Sequence, residues 1–264
     1  MKALSNWLSL VHNENIKVYS RVRTWIMLVL LVLLAVLMPV LVYTTTDIAS
    51  RPDRWNVFQI TISVLFYLNT IFSVIIASDA VAGEFTWGTI KLLLIRPWSR
   101  SKILLSKYTS LILFSLLSTV LLVVVGFAAS FLLFKAGGDV DPPVHGWSMW
   151  QYMLVDIACR YIELFLTIAL AFMVSSVFRA SGLAIGLSLF IIFAKDIFNT
   201  LFNPETYEWA KYLLFPHMNL SGYMFSNTGP GGVSFGFSIA VLAVYYVVFL
   251  ALSWLVFSRR DVAG

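Results

Sequence analysis

Six apolar runs, each long enough for a helix to cross a bilayer, dominate this sequence. They lie at about residues 25–45, 57–78, 103–134, 149–178, 182–202 and 235–257. A spanning helix needs about 20 mostly apolar residues at 1.5 Å rise each. The third and fourth runs exceed that need, which predicts tilt or projection from the membrane. Pro39, inside the first run, predicts a kink, because proline removes a backbone donor and crowds the preceding turn. Composition points the same way. Hydrophobic residues make up 60% of the 264 and charged residues 12%, against about 25% charged in a soluble domain. A soluble fold of this size could not hide so much apolar surface. This excludes a soluble enzyme, a nucleic-acid-binding domain and a disordered chain. The expected fold is an all-α integral membrane protein of six transmembrane helices, with the lipid bilayer as its solvent and no nucleic-acid partner. Residues 1–24 form an N-terminal segment and residues 25–264 the six-span domain, with no room for a separate soluble domain.

Charge sets the expected orientation. With the N-terminus inside, the cytoplasmic pieces hold Lys2, Lys17, Arg21, Arg23, Lys91, Arg96, Arg100, Lys102, Lys107, Arg179, Arg259 and Arg260. The outer pieces hold only Arg51, Arg54, Lys135 and Lys211. This asymmetry places both termini in the cytoplasm of a multi-pass plasma-membrane protein, and accounts for the formal net charge of +5 without an anionic polymer as partner. In residues 1–24, Trp7, Leu8, Leu10, Val11, Ile16, Val18 and Tyr19 alternate with charge, a pattern for an amphipathic helix on the membrane surface; a basic tail without structure is the alternative. No cleavable signal precedes the first run. The single cysteine, Cys159, excludes an internal disulfide and any multi-cysteine metal site. His12, His145 and His217 share no spacing with one another or with carboxylates, so no metal site is expected. Asn219-Leu220-Ser221 matches a glycosylation triplet, a pattern common by chance.

The segment 79–102 is too polar to span and too apolar for a plain loop. Gly83 and Gly88 satisfy the glycine spacing of a phosphate-binding loop, but Thr89-Ile90 stands where Lys and Ser or Thr are required. ATP binding by this chain is therefore not expected. Residues 84–95 can form a short helix with Glu84 near its positive end, stopped by Pro97. Phe85, Trp87, Leu92, Leu93 and Leu94 then need cover at the membrane surface, either from lipid or from a protein partner.

Here the residues carry a resemblance. Gly83-Glu84, Trp87-Gly88-Thr89, Leu93-Leu94, Arg96-Pro97, Ser99-Arg100 and Lys107 together resemble the segment after the second span in permease subunits of type 2 ABC transporters. Asn15-Ile16-Lys17 before the first span and Phe257-Ser258-Arg259-Arg260-Asp261-Val262 at the end are similar to that family as well. So is the layout of six spans with a long loop, residues 203–234, before the last. The resemblance implies two six-span subunits, identical or homologous, around a central pathway. Each would rest on a cytoplasmic ABC ATPase, two copies in all, which binds the ATP and Mg; this chain would bind no cofactor and catalyse nothing. Residues 83–97 would be the coupling helix: Glu84 and Arg96 polar contacts, Trp87 and Leu93 apolar anchors, Pro97 the end stop, with Gly83, Phe85, Gly88 and Thr89 completing the segment. Residues 1–24 would be the connecting helix, and residues 203–234 short re-entrant or surface helices closing the outer end. Such permeases mostly export. The alternative from another class is an ATPase-independent membrane protein, either an ion-coupled secondary transporter or a scaffold.

Ionisable residues also fall inside the runs: Asp156, Arg160 and Glu163 in the fourth, Lys195 and Asp196 in the fifth. Such groups in lipid usually pair or line a cavity. Asp156/Arg160 and Arg160/Glu163 have the spacing of neighbours on one helix face. Glu163 and Lys195 are equally far from the turn at Arg179, hence at one depth. The five either line the outer part of a translocation route or form a structural network clamping the hairpin. Gly182 and Gly186, four residues apart, allow close helix approach, either at a subunit–subunit interface or within one subunit.

Overall fold

The computed structural model describes residues 2–90, 98–135, 143–226 and 228–259. Its long elements are α1 (Lys2–Tyr19), α2 (Val22–Thr45), α3 (Arg54–Asp79), the short α4 (Ala82–Thr86), α5 (Arg100–Leu133), α6 (Met149–Val177), α7 (Ser181–Leu201), the one-turn α8 (Leu214–His217) and α9 (Phe235–Arg259). The fold is all-helical, and α2, α3, α5, α6, α7 and α9 are long and apolar enough to cross a membrane. Together with the relatives reported below, they make the chain a multi-pass membrane protein.

Position in the bundle follows from how many faces of each helix meet protein. The helices α3 and α6 are central: α3 packs on α2, α5, α6 and α7, and α6 packs on α3, α7 and α9. Just over half of their apolar length is buried, against about a sixth for α7 and α9. The outward faces of the peripheral helices are largely apolar, so they are left to lipid or to another chain. The helix α2 continues through Pro39. The helix α1 crosses α5 and touches α2.

The two ends of the bundle are fastened differently. At the end away from α1, aromatic rings join three spans: Trp55 of α3 meets Phe131 of α5 at 5.0 Å and Trp150 of α6 at 4.7 Å, both edge-on. The 203–234 stretch there folds into short helices, including 3-10 turns at Glu208–Tyr212 and Leu220–Met224 around α8. Leu214, His217 and Leu220 pin it inward. The fully buried His217 donates through Nε2–H to the Lys211 carbonyl (2.7 Å), while its Nδ1 faces Ser238 Oγ (2.6 Å), which Tyr223 also reaches at 2.7 Å. Because a carbonyl only accepts, this fixes the tautomer. Tyr207, Trp209 and Tyr212 are exposed, whereas Phe215 turns inward and stacks on Phe198.

The end that carries α1 is fastened by charge.

Candidate functional site: the junction after the second span and an intramembrane cavity

Asp79 closes α3 and is 3% exposed. A carboxylate so placed must be paired, and it is: Arg21 and Arg23, flanking the α1–α2 corner, both bond its Oδ2, and Ser181 at the start of α7 bonds its Oδ1. The chain then passes so close to Asp79 that a Cβ on Gly83 would lie 2.8 Å from Oδ1. This is why glycine stands there. The first amides of α4, which have no partner within the helix, are taken up by Ser175 of α6: its Oγ accepts from Val81 N–H and Ala82 N–H, each at 3.0 Å. Thr86 Oγ accepts from Ser181 N–H at 3.0 Å.

Glu84 points into the protein. Its Oε1 accepts from Lys107 of α5 (2.7 Å) and from Lys17 of α1 (2.8 Å), and Thr89 Oγ donates to its other oxygen. Glu14 completes a ring, bonded to Lys107 at 2.8 Å and to Lys17 at 2.9 Å. Burial alone would raise the Glu84 pKa; Lys107 and Lys17 outweigh burial and hold it at about 2. The Glu14 carboxyl is lowered and the Lys17 ammonium raised by the same contest.

Within the described residues the helix expected over 84–95 is interrupted at 87–89 and is helical again at Ile90; residues 91–97 lie outside the described residues. The helix α4 ends at Thr86, and Gly88 takes φ +68°, a left-handed turn that favours glycine. Thr89, drawn back onto Glu84, holds that turn. Phe85 is half-buried beneath the Arg179 guanidinium. Trp87 stands at the apex, 75% exposed. Leu93, Arg96 and Pro97 lie outside the described residues. The junction thus joins α1, α2, α3, α5, α6 and α7 through side chains, and it presents one aromatic ring outward.

The intramembrane charges come together as two pairs. Arg160 donates Nε to Asp156 at 2.7 Å and a terminal N–H to Ser63 of α3 at 3.1 Å. Lys195 of α7 pairs with Glu163 of α6. Asp196 is exposed on α7, with no ion pair among the described residues. Arg160, Glu163 and Lys195 line a cavity of ≈ 180 Å³ between α3, α6 and α7, roofed by Phe215 and Met218. Gly182 and Gly186 lie on the exposed face of α7, and a Cβ at either would meet nothing within 4 Å. Their close-approach surface is not used inside the subunit.

Sequence reasoning placed Glu163 and Lys195 at one depth and missed Asp79, Glu14 and Ser175 altogether. An acid ending one span and two arginines opening another, at the same end of the bundle, were the available signal for Asp79.

Before any relative is considered, this architecture defines a class: an all-helical protein with six helices long and apolar enough to cross a membrane. Residues 24–263 match the family described as "Protein of unknown function (DUF2705)", and the chain belongs to that family. It is 37% identical over 206 residues to "Uncharacterized protein YhcI" of Bacillus subtilis (strain 168); the match covers 75% of this chain and 66% of YhcI, so the chain spans less than two thirds of that relative. It is 23% identical over 247 residues to "Uncharacterized membrane protein YdbK" of the same organism, covering 93% and 99% of the two chains. It is 27% identical over 218 residues to "Probable ABC transporter permease protein NosY" of Stutzerimonas stutzeri, covering 75% of this chain and 78% of NosY. The family is thus one of permease-like membrane proteins.

Proposed function

We propose that this chain is the membrane-spanning permease subunit of a type 2 ABC exporter. It hydrolyses nothing itself, and it receives the work of ATP hydrolysis at the turn that follows α3. The observation that carries this reading is Trp87, exposed at the apex of a turn whose base is fastened by side chains to six helices. An exposed ring on a mobile loop would transmit nothing. A ring on a fastened turn moves the helices when it is moved. The name of NosY, a probable ABC transporter permease, and the Gly83-to-Lys107 motif support the same reading.

In this reading the α1 end faces the cytoplasm, with both termini there and α1 lying along the membrane surface. Trp87, with Leu93, Arg96 and Pro97, seats in a groove of a cytoplasmic ATPase that binds the ATP and Mg. Two such ATPases serve two permease subunits, identical or homologous, which meet along the exposed α7 face carrying Gly182 and Gly186. Glu84 has a different task from the one its sequence position implies: it fastens the turn to α1 and α5 and leaves contact with the ATPase to its neighbours.

The test is a mild-detergent pull-down of the tagged chain from its native membranes, with copurifying proteins identified and ATP hydrolysis assayed. Copurification of an ATPase, lost in Trp87→Ala while the permease stays folded, is the expected result. Folded protein with no ATPase, and transport that follows a proton or sodium gradient without ATP, would overturn it in favour of an ion-coupled protein.

A further inference from the structure

The cavity between α3, α6 and α7 is lined by charge that its own pairs do not saturate. Arg160 engages Asp156 through Nε and Ser63 through one terminal nitrogen; the other terminal nitrogen has no partner among the described residues. Lys195 bonds one oxygen of Glu163. Two ammonium N–H groups and the second carboxylate oxygen remain. The side chains of Arg160, Glu163 and Lys195 keep 21–28% exposure, and the space they share is the cavity. Asp156, by contrast, is buried behind Arg160.

The sum of charges decides what fits. Arg160 and Lys195 balance Asp156 and Glu163, so a lone anion or a lone cation leaves one pair member opposed to it. A ligand bearing both signs meets donors and an acceptor together, and charge-assisted hydrogen bonds are the stronger kind. The remaining wall is apolar, with Phe66, Leu170 and Ile192. Tyr67 also lines the cavity, is 45% exposed and meets Phe193 of α7 edge-on at 6.2 Å. The cavity therefore reaches the bundle surface beside an apolar face formed by Phe190, Phe193 and Ile197.

We propose that this cavity binds a zwitterionic group, with Glu163 on its ammonium and Arg160 and Lys195 on its phosphate or carboxylate. An aliphatic tail, where present, would lie along the Phe190, Phe193 and Ile197 part of α7, beyond the Gly182–Gly186 stretch at which the proposed subunits meet. The inference goes beyond the ATP-driven reading and does not depend on it, because binding is measured on this chain alone. A zwitterionic lipid headgroup and a free zwitterion share the chemistry.

The test is native mass spectrometry of the purified full chain in a neutral maltoside detergent. The probes are phosphatidylethanolamine, anionic phosphatidylglycerol and tail-less glycerophosphoethanolamine. Phosphatidylethanolamine should be retained about tenfold over phosphatidylglycerol, the ratio set by one charge-assisted contact. Displacement by glycerophosphoethanolamine would assign the site to the zwitterion itself; no displacement would assign it to the intact lipid. Glu163→Gln should reverse the preference toward phosphatidylglycerol. Thr70→Leu, which narrows the cavity and leaves both ion pairs in place, covers the case in which Glu163→Gln fails to fold; it should abolish the adduct. Equal retention of the two lipids, or undiminished phosphatidylethanolamine binding in Thr70→Leu, would overturn the proposal.

Discussion

Lys107 Nζ lies 2.7 Å from one oxygen of Glu84 and 2.8 Å from Glu14, and its side chain is 3% exposed. A cation so buried in the third span is tolerated only because two carboxylates from two other elements converge on it. Lys107 therefore dictates where α1 and the turn after α3 must sit.

Acid should release that arrangement. The Glu84 carboxyl titrates near pH 2 in the folded protein against 4.5 unfolded. Its contribution is complete above about pH 4.5 and fades as pH falls toward 2, amounting to about 2 kcal/mol after discounting for solvent screening. Lys17 is raised, so its contribution holds below its unfolded value of 10.5 and fades above it. Thermal unfolding in detergent, followed by tryptophan fluorescence from pH 7 down to 3, should show a steeper fall for the native chain than for Glu84→Gln, and the variant should already be weakened at pH 7.

A methyl group on Gly83 should be costly. Its Cβ would fall 2.8 Å from Asp79 Oδ1, whose carboxylate is fixed from three sides. Gly83→Ala should lose about 1–3 kcal/mol, the range for overpacking a rigid site, whereas Gly186→Ala, with open space around it, should lose almost none. Comparing the two melting temperatures checks this.

Removing one partner of the Asp156–Arg160 pair should do more harm than removing both. Asp156 is 2% exposed, and a stranded buried charge costs about 3–5 kcal/mol. Arg160→Met should fold poorly, and Asp156→Asn with Arg160→Met should recover most of the yield of folded protein. Size-exclusion profiles of the two variants and the native chain decide it.

The loop around His217 should loosen in mild acid. Burial lowers the imidazole pKa below its ordinary 6.5. The neutral ring is thus the folded form, and the stability it confers is present above pH 6.5 and lost as pH falls through the lower folded value. Limited proteolysis between Leu201 and Phe235 should accelerate between pH 7 and 5, and His217→Gln should flatten that response.

Gly186→Leu should leave the melting temperature of the single subunit unchanged, since nothing lies within 4 Å of its Cβ. On the proposed pairing along α7 it should abolish cysteine cross-linking between subunits.

What was legible in the sequence depended on whether its signal was local. The six spans were, because each needs only its own apolar run: α2 begins three residues before the expected Trp25, and α9 ends two beyond Phe257. The meeting of Glu163 with Lys195 was legible too, because a tight turn at Arg179 makes depth a matter of counting. Glu84 was not. Its partners Lys17 and Lys107 stand 67 and 23 residues away, and nothing local tells an outward carboxylate from one turned onto a distant lysine. The left-handed Gly88 that ends α4 early was hidden for the same reason, since Thr89 is held there by that inward carboxylate.

Asp79 ties the α1–α2 corner to α7 while ending α3, and Ser175 ties α6 to α4. These spans cannot slide past one another at this end without breaking a buried charge contact or a buried hydrogen bond. The end is held together as one unit, and on the proposed coupling at Trp87 a small rotation imposed there would grow with distance along the helices. It would be largest toward the far end, on the side of the cavity roofed by Phe215 and Met218.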